Sequence, residues 1–226
     1  MHIAWGTMWY DYDFVTAERE FERSIELNPR YATGHEFFGW FHATMGRFEE
    51  AYTEVKRAIP LDPVSSPIHF AMGCVYWSAH HFDEAIEALE NSIKLDSGNA
   101  LAHGVLGYVL MYKAQYQRAI EELQKGIQMS QRASSIIASL GEVYAAAGKR
   151  DETQKILEQL HELSNHQYVT SYPVARIYMA LGKKEDAFRW LETGHAEHAA
   201  MMTFLKVIPG SQNCRLSLAS RICCGA

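Results

Sequence analysis

Residues 66–99 read SPIHFAMGCVYWSAHHFDEAIEALENSIKLDSGN. Two runs of apolar residues at i, i+3, i+4, i+7 spacing lie in this stretch, the mark of amphipathic helices. The short break Ala79-His80-His81 separates them. The second run opens on Asp83-Glu84, where negative charge meets the positive end of a helix dipole, and closes at Leu95-Asp96-Ser97. The stretch therefore predicts helix, turn, helix, loop.

The same pattern recurs along the chain every 34 residues. Phe38-Gly39, Met72-Gly73, Leu106-Gly107 and Leu140-Gly141 fall on successive steps, and Val174-Ala175 on the next. Ala17, Ala51, Ala85, Ala119, Thr153 and Ala187 form a second column. Four residues after each come Phe21, Val55, Leu89, Leu123, Leu157 and Leu191. A turn aromatic repeats as Phe14, Phe48, Phe82 and Tyr116, then gives way to Arg150 and Lys184. Gly46, Gly148 and Gly182 stand in three of the breaks, and glycine accepts the left-handed conformation that closes a helix. The small columns let paired helices approach closely, with large neighbours filling the space that remains. One such pair cannot bury its apolar face alone, so neighbours must stack.

The 34-residue unit resembles the tetratricopeptide repeat (TPR), most closely through Met72-Gly73, Tyr76, Phe82, Ala85, Leu89 and Ser92. The resemblance implies an all-α, right-handed α-solenoid of tandem antiparallel helix pairs, about six repeats long. Its units run 1–31, 32–65, 66–99, 100–133, 134–167 and 168–199, with Trp5 in place of the first unit's glycine. Trp9 to Phe14, Ala17 to Phe21, Asp186 to Glu192 and Phe204 to Val207 are similar to the C-terminal repeat array of bacterial multi-domain transcriptional regulators and kinases. No winged-helix or kinase motif accompanies them.

Composition is that of an ordinary soluble globular chain, with 226 residues, 48% hydrophobic and 21% charged. This excludes intrinsic disorder, collagen and a small disulfide scaffold. The net charge is −6 without a Lys/Arg cluster, which argues against nucleic acid as a partner. No run of 18 apolar residues and no signal-peptide pattern occur, so no membrane association and a cytoplasmic location are expected. Cys74, Cys214, Cys223 and Cys224 fit neither a zinc spacing nor a plain disulfide framework and read as free thiols.

In proteins of the resembling family, the first helices of the units line a concave face. Carried over residue by residue, that face holds Glu36, Trp40, Phe70, Cys74, Trp77, Tyr108, Met111, Tyr112, Glu142, Tyr172, Arg176 and Met179. The aromatic members suit a peptide-binding groove, because such rings bury much area for little side-chain entropy. Several of them could equally pack between repeats. The carboxylate clamp known from chaperone cofactors needs Lys and Asn. The matching positions hold Glu36 and Trp40, Phe70 and Cys74, Gly104 and Tyr108, so no clamp is expected.

His35, His69 and His103 share one column. Adjacent helices stack about 10 Å apart, whereas metal ligands lie about 2 Å from one ion, so packing is the expectation. His195 and His198 have no evident third ligand, and His80-His81 reads as a solvated turn. No hydrolase, P-loop or zinc-protease motif is present, and the many carboxylates, such as Glu54 near Arg57, read as helix-surface pairs. No catalytic residues, metal or cofactors are expected.

Residues 200–226 depart from the pattern: no acid follows Glu197, and the helical period stops near Val207. Suitable codons read two bases on restore a charged terminal helix, so a frameshift near residues 207–209 is the expectation. The poorly capped C-terminal end then predicts self-association as a homo-oligomer. Together these readings point to a non-catalytic protein-interaction scaffold or regulatory adaptor that takes a protein or peptide in the groove. The alternative is a small-molecule sensor module detached from a larger regulator.

Overall fold

The computed structural model describes residues 13–130, 133–166, 169 and 171–196. Among them are eleven helices: α1 (Phe14–Leu27), α2 (Ala32–Thr44), α3 (Phe48–Leu61), α4 (Ser66–Ser78), α5 (Phe82–Leu95), α6 (Ala100–Tyr112), α7 (Tyr116–Met129), α8 (Ser134–Ala146), α9 (Arg150–Ser164), α10 (Ser171–Ala180) and α11 (Lys184–Ala196). The 34-residue period is kept to the residue in every helix start but one, since α10 begins at Ser171, three residues late. Second helices begin at Phe14, Phe48, Phe82, Tyr116, Arg150 and Lys184, and first helices at Ala32, Ser66, Ala100 and Ser134. Five complete pairs and the second helix of a sixth account for these elements. Residues 1–12, with Trp5 and Trp9, the His195 side chain, His198, Cys214, Cys223, Cys224 and the rest of the 200–226 tail lie outside the described residues.

The start of each second helix is chemically marked. Glu49 and Glu50, Asp83 and Glu84, Asp151 and Glu152, and Glu185 and Asp186 occupy first turns, where they face unpaired backbone N–H groups. Arg150 and Lys184 replace the aromatic without moving the boundary. The preceding turn is equally regular. Gly46, His80, Ala114, Gly148 and Gly182 all adopt positive φ, between 56° and 75°. The following N–H then donates back to the carbonyl five residues earlier, as from Arg47 to His42, His81 to Tyr76 and Gln115 to Leu110. This is a Schellman closure. Only three of the five positions carry glycine; at His80 and Ala114 the repeat's geometry imposes a conformation that L side chains disfavour.

The glycine column sets the distance within each pair. A Cβ on Gly39 would lie 2.4 Å from Val55, one on Gly73 2.6 Å from Leu89, and one on Gly107 2.6 Å from Leu123. Each neighbour is the large residue four positions after the alanine column, and each is fully buried. Burying such a side chain contributes roughly 1.5–3 kcal/mol.

The chain forms two compact units that divide between Ser97 and Gly98. In the N-terminal unit, Phe21 packs on Phe38 and Phe41 with ring centroids 5.8 and 5.5 Å apart. A second cluster there joins Ala51, Val55, Ile68, Met72 and Val75, with Trp40, Tyr52 and Tyr76 partly buried against it. In the C-terminal unit the core comprises Leu106, Leu110, Leu123, Ile137, Leu157, Leu160 and Ile177, among others. Among the described residues, no helix is long and apolar enough to cross a membrane.

Candidate functional site

The repeat period decides which side chains of the first helices meet. Residues 34 apart occupy equivalent positions on neighbouring first helices. In the C-terminal unit, one such column reads Tyr108 on α6, Glu142 on α8 and Arg176 on α10. Arg176 Nε donates to Glu142 Oε2 at 2.6 Å, and Tyr108 Oη donates to the same oxygen at 3.1 Å. The remaining guanidinium nitrogens reach Tyr172 Oη at 3.2 Å and Tyr112 Oη at 3.0 Å. The guanidinium carbon lies 5.3 Å from the Tyr108 ring centre and 5.8 Å from that of Tyr172, within cation–π range.

Five of the twelve residues expected on the concave face thus form one network. Tyr108, Glu142 and Tyr172 are buried, and Tyr112 and Arg176 half-buried. Burial pushes the Glu142 carboxyl up, an effect that Arg176 and its hydrogen bond partly offset. Burial works against the Arg176 charge, yet the facing carboxylate holds the guanidinium well above its usual value. Arginine stays charged in proteins, so Glu142 serves as its counter-ion. The Tyr108 hydroxyl is likewise pushed far up by burial, with Glu142 adding to the effect.

The N-terminal unit carries five more, Cys74 among them. Glu36 and Trp40 lie one turn apart on α2, and Phe70 and Trp77 two turns apart on α4. The Trp40 and Phe70 ring centres are 5.9 Å apart. All three aromatics are half-buried, whereas Glu36 is only 6% exposed. Burial alone raises its carboxyl to about 7. The Cys74 thiol lies near enough for Glu36 to raise it further, on top of a large effect of burial. A thiol held in its neutral form is a poor nucleophile.

The expectation that Glu54 lies on a helix surface beside Arg57 is corrected, since Glu54 is buried; Glu36 and Glu142, expected on the concave face, are buried too. Glu54 does accept from Arg57 at 2.7 Å, but its other oxygen meets His35 Nδ1 at 2.6 Å. His103 and Glu122 repeat the arrangement at 2.6 Å, with Lys125 in the arginine's place. Burial opposes the Glu122 charge, but the hydrogen bonds from Lys125 and His103 outweigh it and its carboxyl is lowered. The shared spacing of 19 residues, from His35 to Glu54 and from His103 to Glu122, was a signal in the sequence. At the intervening repeat Ala88 stands where the glutamate would be, and His69 meets only the Pro63 carbonyl, at 3.1 Å. The histidine column therefore ties first helices to second helices and loops. Among the described residues, no three His, Cys, Asp or Glu side chains converge as a metal site. His80 and His81 are exposed in their turn as expected, although the His81 ring also stacks on Tyr52 and Tyr76.

An all-helical array of antiparallel pairs with constant period and polar residues threaded along its first helices is a TPR-type α-solenoid. Residues 70–135 match the family model of the tetratricopeptide repeat. Among solved structures, PilW, a type IV pilus biogenesis factor, is 14% identical and superposes with a TM-score of 0.68 over 91% of this chain and 95% of its own. A tetratricopeptide repeat protein from Parabacteroides merdae is also 14% identical, with a TM-score of 0.63 over 95% of this chain and 85% of its own. YrrB, a TPR protein with an unusual peptide-binding site, is 20% identical, with a TM-score of 0.51 over 81% of this chain and 91% of its own. At these identities the likeness establishes the fold. No curated protein matches the chain by sequence.

Proposed function

We propose that this chain is a non-catalytic interaction scaffold whose first-helix faces take a polypeptide partner. The observation that carries this reading is the half-buried aromatic surface of Trp40, Phe70 and Trp77, on the same two helices as the buried Glu36. Rigid amphipathic rings on a helical framework give contact area at low entropic cost. In the C-terminal unit, Tyr112 and Arg176 offer the partly open edges of a surface backed by Tyr108, Glu142 and Tyr172. The peptide-binding site described for YrrB supports the reading by analogy of fold.

A photo-crosslinking amino acid placed at position 40 tests the proposal in the host cell, with position 56 as control, since Lys56 is exposed on α3. A discrete partner polypeptide cross-linked from position 40 and absent from position 56 is the expected result. Equal capture from both positions, or capture of no polypeptide from position 40, overturns it.

A further inference from the structure

We propose that the patch formed by Glu36, Trp40, Phe70 and Cys74 in the N-terminal unit is a docking site for one basic side chain, lysine or arginine, of a polypeptide partner. It rests on the scaffold reading above and names what that scaffold recognises. Glu36 is more than nine-tenths buried. Among the described residues no hydrogen bond or ion pair reaches its carboxylate, and on α4 its charge acts on the Cys74 thiol, which burial holds neutral. The adjacent His35 is turned to Glu54 and to the Pro29 carbonyl, at 2.6 and 2.9 Å, and does not serve it. A carboxylate largely withdrawn from water without a donor is costly and is normally paired, and the Glu36 oxygens are not among the side-chain atoms fully closed off from solvent, so a ligand can reach them.

The C-terminal unit uses the same two columns of its first helices in a filled arrangement, with its carboxylate one helical turn further along, in the column of Trp40 and Cys74. There the buried carboxylate is Glu142, and the guanidinium of Arg176 lies on it at 2.6 Å, close to the rings of Tyr108 and Tyr172. In the N-terminal unit the corresponding columns hold Glu36 and Phe70, then Trp40 and Cys74. The carboxylate and the rings are present, and the basic residue is not. Trp40 and Phe70, with centres 5.9 Å apart and both half-buried, can cover the apolar stem of a lysine or arginine while its charged head reaches Glu36. A neutral donor satisfies the hydrogen bond but leaves the charge and the ring faces unused, so a cation fits best.

Random dodecapeptides displayed on phage and selected on the full-length protein provide the probe. Fluorescein-labelled synthetic copies are then measured by anisotropy against wild type and Glu36→Gln at pH 8. Selected peptides are expected to share a lysine or arginine at one position. Replacing that residue by norleucine should weaken wild-type binding on the order of 30-fold or more, the scale of a broken desolvated charge pair. The same replacement should change binding to Glu36→Gln by less than about threefold, because a double-mutant cycle isolates the pair. Circular dichroism confirms that the variant is folded. Peptides that bind without needing a basic residue, or whose lysine matters equally in both proteins, overturn the docking site and leave the scaffold reading standing. Failure to select any peptide that binds the soluble protein overturns both.

Discussion

Replacing Glu36 by glutamine should make the protein more stable at pH 8 and leave it nearly unchanged at pH 4.5. The carboxyl is raised from 4.5 to about 7 by burial. Between those two values the folded state keeps a proton that the unfolded chain has released. Stability therefore falls as pH rises through this window, because its slope follows the protons bound by the unfolded state minus those bound by the folded one. At about 1.4 kcal/mol for each pH unit, the full displacement amounts to about 3 kcal/mol above pH 7. Glutamine has the same shape and no titration. The neighbouring Cys74 thiol is pushed up by burial and stays neutral throughout. Urea unfolding of both proteins, followed by circular dichroism at several pH values, gives the difference directly, and all other titrating groups cancel in it. The difference should grow from near zero at pH 4.5 to about 2–3 kcal/mol in favour of the variant by pH 8. A difference that does not change with pH would refute the claim that Glu36 is buried without a compensating partner.

The other perturbations address packing, turns and the polar column. Ala114→Gly should stabilise the chain by about 0.5–1 kcal/mol, since relief of the positive φ exceeds glycine's extra entropy; thermal unfolding measures it. Gly148→Ala should cost about 1–2 kcal/mol through backbone conformation alone, because a Cβ there meets nothing within 4 Å. Gly107→Ala should cost about 1–3 kcal/mol in urea unfolding, as its Cβ would lie 2.6 Å from Leu123 Cγ and 2.8 Å from the Ala119 carbonyl oxygen. Arg176→Met should cost about 3–5 kcal/mol by stranding Glu142. Adding Glu142→Leu to that variant should recover part of the loss, which a double-mutant cycle detects.

Helix boundaries were legible because the repeat is a packing constraint written directly into side-chain size. Gly39, Gly73 and Gly107 must be small for the reasons that Val55, Leu89 and Leu123 must be large, so both columns stand out. The left-handed turns at His80 and Ala114 carry no residue signal of their own and follow only from register with Gly46 and Gly148. Glu54 reads as a surface carboxylate because amphipathic periodicity treats charge as surface. Glu54 is buried on account of His35, 19 residues before it, and Glu142 on account of Arg176, 34 residues after it. Both partners were in view, but the pairing depends on which helices are neighbours and at what height. The residues expected in the groove lie on first helices, yet Tyr108 and Tyr172 turn inward, because Arg176 gives their hydroxyls and rings a common partner.

The hydrogen bond from Arg176 to Tyr112 joins residues 64 apart, from α10 to α6, with α8 between them. Arrays of stacked repeats commonly unravel from an end, each segment held only by its immediate neighbour. Here the α10 guanidinium also grips the segment two places away. Fraying of α10 would uncover Glu142 and release Tyr112 in the same event, so α10 cannot peel off at the cost of one interface. Amide exchange in α6, α8 and α10 should accordingly show a single opening free energy, where a chain coupled only between adjacent segments would show a gradient towards its end.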